Sequence, residues 1–283
     1  MSYKHYYDNC LADNIGNTGL ASSEFEVLMG RADECIDGFS EGSHRDVQTL
    51  LDLVRTCDDL EELEPIAERY CESFDHVIVL GTGGSSLGGK TLSALAPLPF
   101  FNNPSGFPGR PNLYFLENID PDSFERLFRQ IEAERTGLLV ISKSGCTAET
   151  MAQFIYCMDV FRRIVGVDRL ANHFTAITEP ESRPLREMSE KYGITVLDHH
   201  PAIGGRYSAL SATGMLPAMI AGLDGEALRA GAASVVHTVL TRDRETAVAP
   251  AVGAALAVGL ANNNGVTASV LMPYLDRLQN FGK

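Results

Sequence analysis

This sequence predicts a doubly wound α/β fold, a parallel sheet flanked by helices, and three observations carry that expectation. Five short apolar runs rich in β-branched residues recur between His76 and Asp198, each is bounded by Gly, Pro or Asp, and helical patterns fill the intervals. In such a fold, ligands collect beyond the carboxyl ends of the strands.

Residues 22–73 come first and read as mostly helical, with Leu50, Leu51, Leu53 and Val54 as core candidates and the acidic run "DDLEELE" as a solvated face. The strand candidates follow: "HVIVLG" (76–81), "NLYFLE" (112–117), "GLLVIS" (137–142), "HFTAIT" (173–178) and "ITVLD" (194–198). The stretch "NIDPDSFERLFRQIEAER" places Pro121 after Asp120 and carries early acidic residues, which suit a helix N-terminus. After Thr147, the residues Met151, Phe154, Ile155, Met158 and Phe161 share one helical face, with Arg162 and Arg163 outside it.

Beyond the sheet, residues 208–223 and 247–260 read as two more helices. In the second, Val248, Val252, Leu256 and Leu260 recur every fourth position until "NNNG" stops the pattern. "VTASVLM" (266–272) is a sixth strand-like run, read as the first strand of a new α/β unit that the 11 residues after it could not cover. The expected organisation is a helical segment over 1–73, a first α/β domain over 74–205, and a helical connection with the start of a second domain over 206–283.

Composition narrows the partners. A chain of 283 residues with 45% hydrophobic content can bury a sizeable core. A net charge of -14, with no Lys/Arg cluster, argues against nucleic acid and anionic membrane, since both need a local positive field. The uncharged runs 207–223 and 247–260 are short and contain Pro and Gly, so they read as buried core helices and not as membrane spans. The N-terminus carries no secretory pattern, and the six cysteines show no C-x-x-C pair, which favours reduced thiols in the cytoplasm.

"GTGGSSLGGKT" (81–91) satisfies two descriptions of a phosphate-binding loop. From Gly84, the spacing to Gly89-Lys90-Thr91 is that of a nucleotide P-loop; but three residues separate Leu80 from Gly84, and Lys90 would fall well inside a helix. The dinucleotide fingerprint fails because its third glycine would be Ser86. The alternative is a sugar-phosphate turn. "HVIVLG" and "GLLVIS" both run into Gly/Ser/Thr-rich loops that lead into helices, so two helix N-termini could aim free amides at one anion, with Ser85, Ser142, Ser144 and Thr147 adding hydroxyls. Taken singly, each of these hydroxyls more often caps its helix.

"LGTGGSSLG" (80–88), "SKSGCTAET" (142–150) and "IGGRYSALSATGMLPAMIAG" (203–222), in this order, resemble the successive signatures of the glucose-6-phosphate isomerase family, most closely its shorter bacterial form. The resemblance implies two sugar-isomerase (SIS) domains of flavodoxin-like topology and a homodimer with a shared active site. It also implies interconversion of glucose 6-phosphate and fructose 6-phosphate through an enediol, with neither metal nor organic cofactor. Carried over by position, Gly84, Ser85, Ser142, Lys143, Ser144 and Thr147 would bind phosphate, Lys143 mainly through its backbone amide. Cys146, where the family commonly has Thr, reads as packing, and Glu149 as loop support.

Arg206, after Gly204 and Gly205, is the residue the resemblance assigns to catalysis. A fixed guanidinium beside the enediolate oxygen stabilises the charge that develops there, and the glycines let backbone approach the sugar. The family's proton-transferring Glu, in a motif E-S-x-G-K, has no counterpart among these residues, nor do its His and C-terminal Lys. Adjacent His199 and His200 do not make a metal site, because neighbours in sequence cannot easily ligate one ion. The expectation is the N-terminal part of such an isomerase, without turnover on its own. A non-catalytic phosphosugar-binding module and a P-loop nucleotide hydrolase stay open beside it.

Overall fold

The computed structural model of the chain describes residues 5–40, 45–96, 109–241 and 249–282. Helices α1 (Ala12–Ile15), α2 (Ser22–Ser40), α3 (Arg45–Leu53) and α4 (Asp58–Ser73) precede the first strand. The sheet region then runs β1 (His76–Leu80), α5 (Gly84–Ser93), β2 (Asn112–Leu116), α6 (Pro121–Phe128), β3 (Thr136–Ile141) and α7 (Ala148–Val165). It continues with α8 (Val167–Leu170), β4 (Phe174–Thr178), α9 (Pro184–Lys191) and β5 (Thr195–Asp198). A 3-10 segment (Gly205–Leu210), α10 (Ala212–Ile220), α11 (Gly225–Thr241) and α12 (Ala249–Asn264) follow.

All five expected strands form, and they pair in parallel in the order β2-β1-β3-β4-β5. Because strand side chains alternate between faces, each strand feeds two cores. Ile78, Leu80, Leu138, Val140, Phe174 and Ala176 meet Phe124 and Leu127 of α6 and Phe154, Met158 and Phe161 of α7 on one side. Val77, Val79, Leu139, Ile141, Ile177 and Leu197 meet Leu63, Ala67 and Tyr70 of α4 and Met215, Leu216 and Ile220 of α10 on the other. Gly137 in β3 is required by this second layer, since a Cβ there would lie 2.6 Å from the Phe74 ring and 2.7 Å from that of Tyr70. The Tyr70 hydroxyl sits 2.8 Å from Leu138 O and 3.0 Å from Thr175 Oγ1. Burial pushes its pKa far up and keeps it neutral.

The chain forms two compact units, Met1–Asp52 with Ala230–Leu271, and Leu53–Arg229 with Met272–Lys283. In the first, Leu20, Val252 and Leu256 form a small core supported by Phe25, Leu28 and Leu260. Gly259 lets α12 come close, because a Cβ there would lie 2.5 Å from Leu20 Cδ2. Three of the four residues in the every-fourth pattern therefore serve as expected, and Val248 lies outside the described residues. Gly265, at φ 68°, closes α12 where "NNNG" was expected to stop it.

Several expectations need correction. Val266–Met272 forms no strand: a strand needs a neighbour to pair its backbone, none lies beside it among the described residues, and Val270, Leu271 and Met272 are exposed. Ile155 is exposed, while Cys157 and Val165 complete the buried face of α7, because the helix packs through positions 154, 157, 158, 161 and 165. Of the four core candidates in and after α3, only Val54 is fully buried. The helix opens at Pro121 as its sequence suggested and ends at Phe128, and the Asp120 side chain caps its start by accepting from Asp122 N.

Candidate functional site

β1 and β3 are neighbours in register, with His76 opposite Thr136 and Leu80 opposite Val140. The strand order reverses between them: β2 lies outside β1, while β4 and β5 lie outside β3. Their carboxyl ends thus flank the switch-point crevice of a doubly wound sheet. The two turns leave it side by side, close enough that a Cβ on Gly81 would meet Ile141 O at 3.0 Å.

The first turn is shaped by close backbone approach. Gly83 takes φ 54°, a left-handed conformation that a glycine adopts without strain, and α5 starts at the next residue. A Cβ on Gly84 would lie 2.2 Å from Gly205 O, so the Gly204–Arg206 backbone touches the start of α5 directly. One turn on, Gly88 faces Ala209 Cα at 2.8 Å and Gly89 faces Pro217 Cγ at 3.0 Å. The glycines of "GGSSLGGKT" thus allow α5 to lie against the 3-10 segment and α10. Lys90 sits in the last turn of α5 and pairs with Glu117 at 3.0 Å, whereas a P-loop lysine stands at the opening of its helix and faces the phosphates. The nucleotide reading of this loop is overturned.

The second turn is shaped by hydroxyls. Buried Ser142 Oγ lies 3.0 Å from Thr147 Oγ1, and exposed Ser144 Oγ lies 3.4 Å from the same atom. Gly145 turns the chain at φ 63°, where a Cβ would meet Thr178 Oγ1 at 2.8 Å and Arg183 Cβ at 2.9 Å. Neither α5 nor α7 has a side-chain cap: the residue before α5 is Gly83, and the Thr147 hydroxyl before α7 turns to Ser142 and Ser144 instead. The capping role expected of a lone Ser or Thr is therefore not the one these residues perform, and both helix N-termini keep their first amides clear of side-chain caps. Ser85, half-buried in the first turn of α5, has a hydroxyl that bonds to no other described residue.

Lys143 divides its groups. Its carbonyl accepts from Glu179 N at 3.0 Å and from Thr178 Oγ1 at 3.3 Å. Its Nζ donates to Pro201 O at 2.7 Å and to Ile203 O at 3.0 Å, and lies 3.5 Å from Glu179 Oε1. Arg206 is exposed in the 3-10 segment and forms no ion pair among the described residues. The segment beneath it is tied down by Ser208 Oγ, which donates to Gly205 O at 2.7 Å.

Cys146 is exposed, with Sγ 3.4 Å from Ser144 Oγ, so it lies on the rim of the turn and not in packing as expected. Glu149 is exposed on the first turn of α7. His199 is buried, its Nδ1 3.1 Å from His200 O. Burial holds the His199 pKa below the ordinary histidine value, with the Lys143 charge adding to the effect and the His200 contact opposing it. No three His, Cys, Asp or Glu side chains gather as metal ligands would among the described residues. Two participants escaped the sequence reading, Gly145 and Glu179. The signals available were a glycine inside a hydroxyl-rich turn and a carboxylate directly after a buried strand.

Comparison with known proteins places this arrangement. The family model for phosphoglucose isomerase matches residues 28–283. The chain belongs to the phosphoglucose isomerase family. A glucose-6-phosphate isomerase of Rubrobacter xylanophilus is 35% identical over 268 residues, covering 92% of this chain and 59% of that protein. One from Carboxydothermus hydrogenoformans is 34% identical over 224 residues, covering 78% and 47%. Among solved structures, a glucose-6-phosphate isomerase of Chlamydia trachomatis superposes with a TM-score of 0.64 at 27% identity, covering 79% of this chain and 41% of that one. The chain thus spans about half the length of the family members it matches. No helix among the described residues is long and apolar enough to cross a membrane.

Proposed function

We propose that this chain supplies the phosphate-binding and charge-stabilising part of an aldose-ketose isomerase acting on glucose 6-phosphate and fructose 6-phosphate. One observation carries the reading: two helices without side-chain caps at their N-termini follow neighbouring strands at the strand-order reversal, and the Gly205 backbone touches one of them. In this reading the sugar's phosphate lies between the turns, taking amides from both helices and hydroxyls from Ser85, Ser142, Ser144 and Thr147. Charge-assisted hydrogen bonds of this kind are each worth about 1.5–3 kcal/mol. Arg206, unpaired beside them, is free to face the sugar's carbonyl end. As a proton leaves the carbon next to that carbonyl, charge gathers on the oxygen, and a guanidinium already in place lowers the barrier without reorganising.

Proton transfer needs a positioned carboxylate within hydrogen-bond reach of the carbon-bound proton. Glu179 is engaged by Lys143 and Glu149 is exposed on α7, so neither is proposed for that role. The chain by itself is accordingly proposed to bind the sugar phosphate without turning it over. The working enzyme is proposed to be a cytoplasmic homodimer.

Calorimetric titration of the purified 283-residue chain with fructose 6-phosphate tests the reading. Saturable binding is expected, weakened about tenfold in Arg206→Ala, with no isomerase rate above background. Absence of binding in the unmodified chain would falsify the site, and a clear isomerase rate would show that the base has been misassigned.

A further inference from the structure

Lys143 does more than its place in the second turn requires. Its backbone belongs to the turn that opens α7, while its side chain runs the other way, to the segment after β5. The two carbonyls it holds, Pro201 O at 2.7 Å and Ile203 O at 3.0 Å, lie five and three positions before Arg206. Two of the three N–H donors of the ammonium are taken by these carbonyls, and Glu179 Oε1 lies 3.5 Å from it as an ion partner. Glu179 is itself fixed to Lys143, its backbone N–H bonding the Lys143 carbonyl at 3.0 Å. The same segment is also anchored by the burial of His199 and Ile203 and by the Ala202 N–H on His200 Nδ1 at 3.2 Å, and the Lys143 ammonium adds its tie to the second turn. Pro201 and Ala202 are exposed, and the segment's backbone bonds run from His199 N to Thr178 O and from Ile203 N to His200 O.

We infer that Lys143 is a positioning residue: its ammonium, gripping Pro201 O and Ile203 O and steadied by Glu179, sets the turn that carries Arg206 against the two strand ends. The inference rests on the proposed reading of the site. Its consequence is that anion binding and arginine placement are mechanically one event. An anion that orders the second turn through the Lys143 amide also orders the lysine's stem, and through it the Gly204–Arg206 backbone seated on Gly84. Inorganic phosphate needs only the turns, whereas a sugar phosphate also needs the arginine where the sugar ends.

The test compares two ligands across single variants and one double variant. Unmodified chain, Lys143→Met, Lys143→Arg and Arg206→Ala are titrated with inorganic phosphate and with fructose 6-phosphate, after thermal unfolding has verified that each folds. Lys143→Met is expected to weaken fructose 6-phosphate about tenfold more than it weakens inorganic phosphate, as misplacement of a remote group does. Lys143→Arg, which retains charge and donors, is expected to recover most of the loss.

In the double variant, Lys143→Met is expected to add little to Arg206→Ala, because both remove the same contact. Amide hydrogen exchange over residues 203–207 is expected to quicken in Lys143→Met. If Lys143→Met weakens both ligands equally or neither, or adds fully to Arg206→Ala, the inference is overturned while the site stands. If the unmodified chain takes up neither ligand, the site reading falls and the inference with it. Should Lys143→Met not fold, Glu179→Gln carries the comparison, with the same selectivity and a smaller loss expected.

Discussion

The two strand-to-helix turns face the same crevice, yet they are built on opposite principles. The turn after β1 contains Gly81, Gly83 and Gly84 and is held by backbone pressed against backbone, with Gly205 seated where a Gly84 Cβ would be. The turn after β3 is held by side chains: the Ser142, Ser144 and Thr147 hydroxyls contact one another, and Lys143 ties the turn outward to residues 201 and 203. The difference shows that a turn of small residues fails when anything is added, and a turn of polar side chains fails when anything is removed.

Adding one methyl to the first turn is the severest way to break the comparison. Gly84→Ala sets carbon 2.2 Å from a carbonyl oxygen with backbone on both sides, so neither partner can swing away. A loss of about 3 kcal/mol in urea unfolding is expected, the upper end for overpacking, together with loss of fructose 6-phosphate binding. Unchanged stability would mean that the 3-10 segment can shift.

In the second turn, Thr147→Ala removes the hydroxyl shared by Ser142 and Ser144. Titration should show sugar-phosphate affinity falling about tenfold, with stability changed by about 1 kcal/mol or less. A large stability loss with unchanged affinity would turn the hydroxyl network into scaffolding.

The pH dependence of stability sharpens the contrast from outside the turns. His173 and His199 are both held below the ordinary histidine pKa, chiefly by burial. In each case the unfolded chain binds a proton more readily than the folded one. Their contribution is complete above pH about 6.5 and is lost as the pH falls through the depressed folded-state values. Urea midpoints measured from pH 7.5 to 5 should decline, and His173→Gln should flatten part of that decline. An unchanged slope in the variant would remove His173 from the account.

Smallest of all should be Lys90→Ala. Its partly exposed pair with Glu117 contributes about 0.5–1 kcal/mol at most, and sugar-phosphate titration should be unaffected. A lost binding isotherm would bring the lysine back to the site.

Much of this was legible beforehand because its signals are local. All five strands lay within about a residue of their apolar runs; β1, β3 and β4 are buried on both faces and must be apolar throughout, while the edge strands β2 and β5 are less buried. Val266–Met272 shows the limit of that logic: the same composition forms no strand where no neighbour supplies pairing. Ile155 makes a similar point for helices, where the periodicity allowed two adjacent stripes and only the sheet beneath selected one. Of the candidate site residues, Ser85, Ser142, Ser144 and Thr147 could be proposed from the composition of the two loops and Gly84 and Arg206 from the family resemblance, but their division of labour could not. Gly145 and Glu179 went unnoticed because each acts through a residue distant in the chain.

By itself, the sequence determined the strands, the order of the elements and the small and hydroxyl-bearing residues at two of their ends, because hydrophobic period and turn chemistry act over a few neighbours. Tertiary structure alone decided what the glycines are for, where Lys90 and Lys143 point, and which loop residues meet. Those are questions of which atoms compete for the same space or the same donor, and the competitors lie 27 to 124 positions apart, as Lys90 is from Glu117 and Gly84 from Ser208.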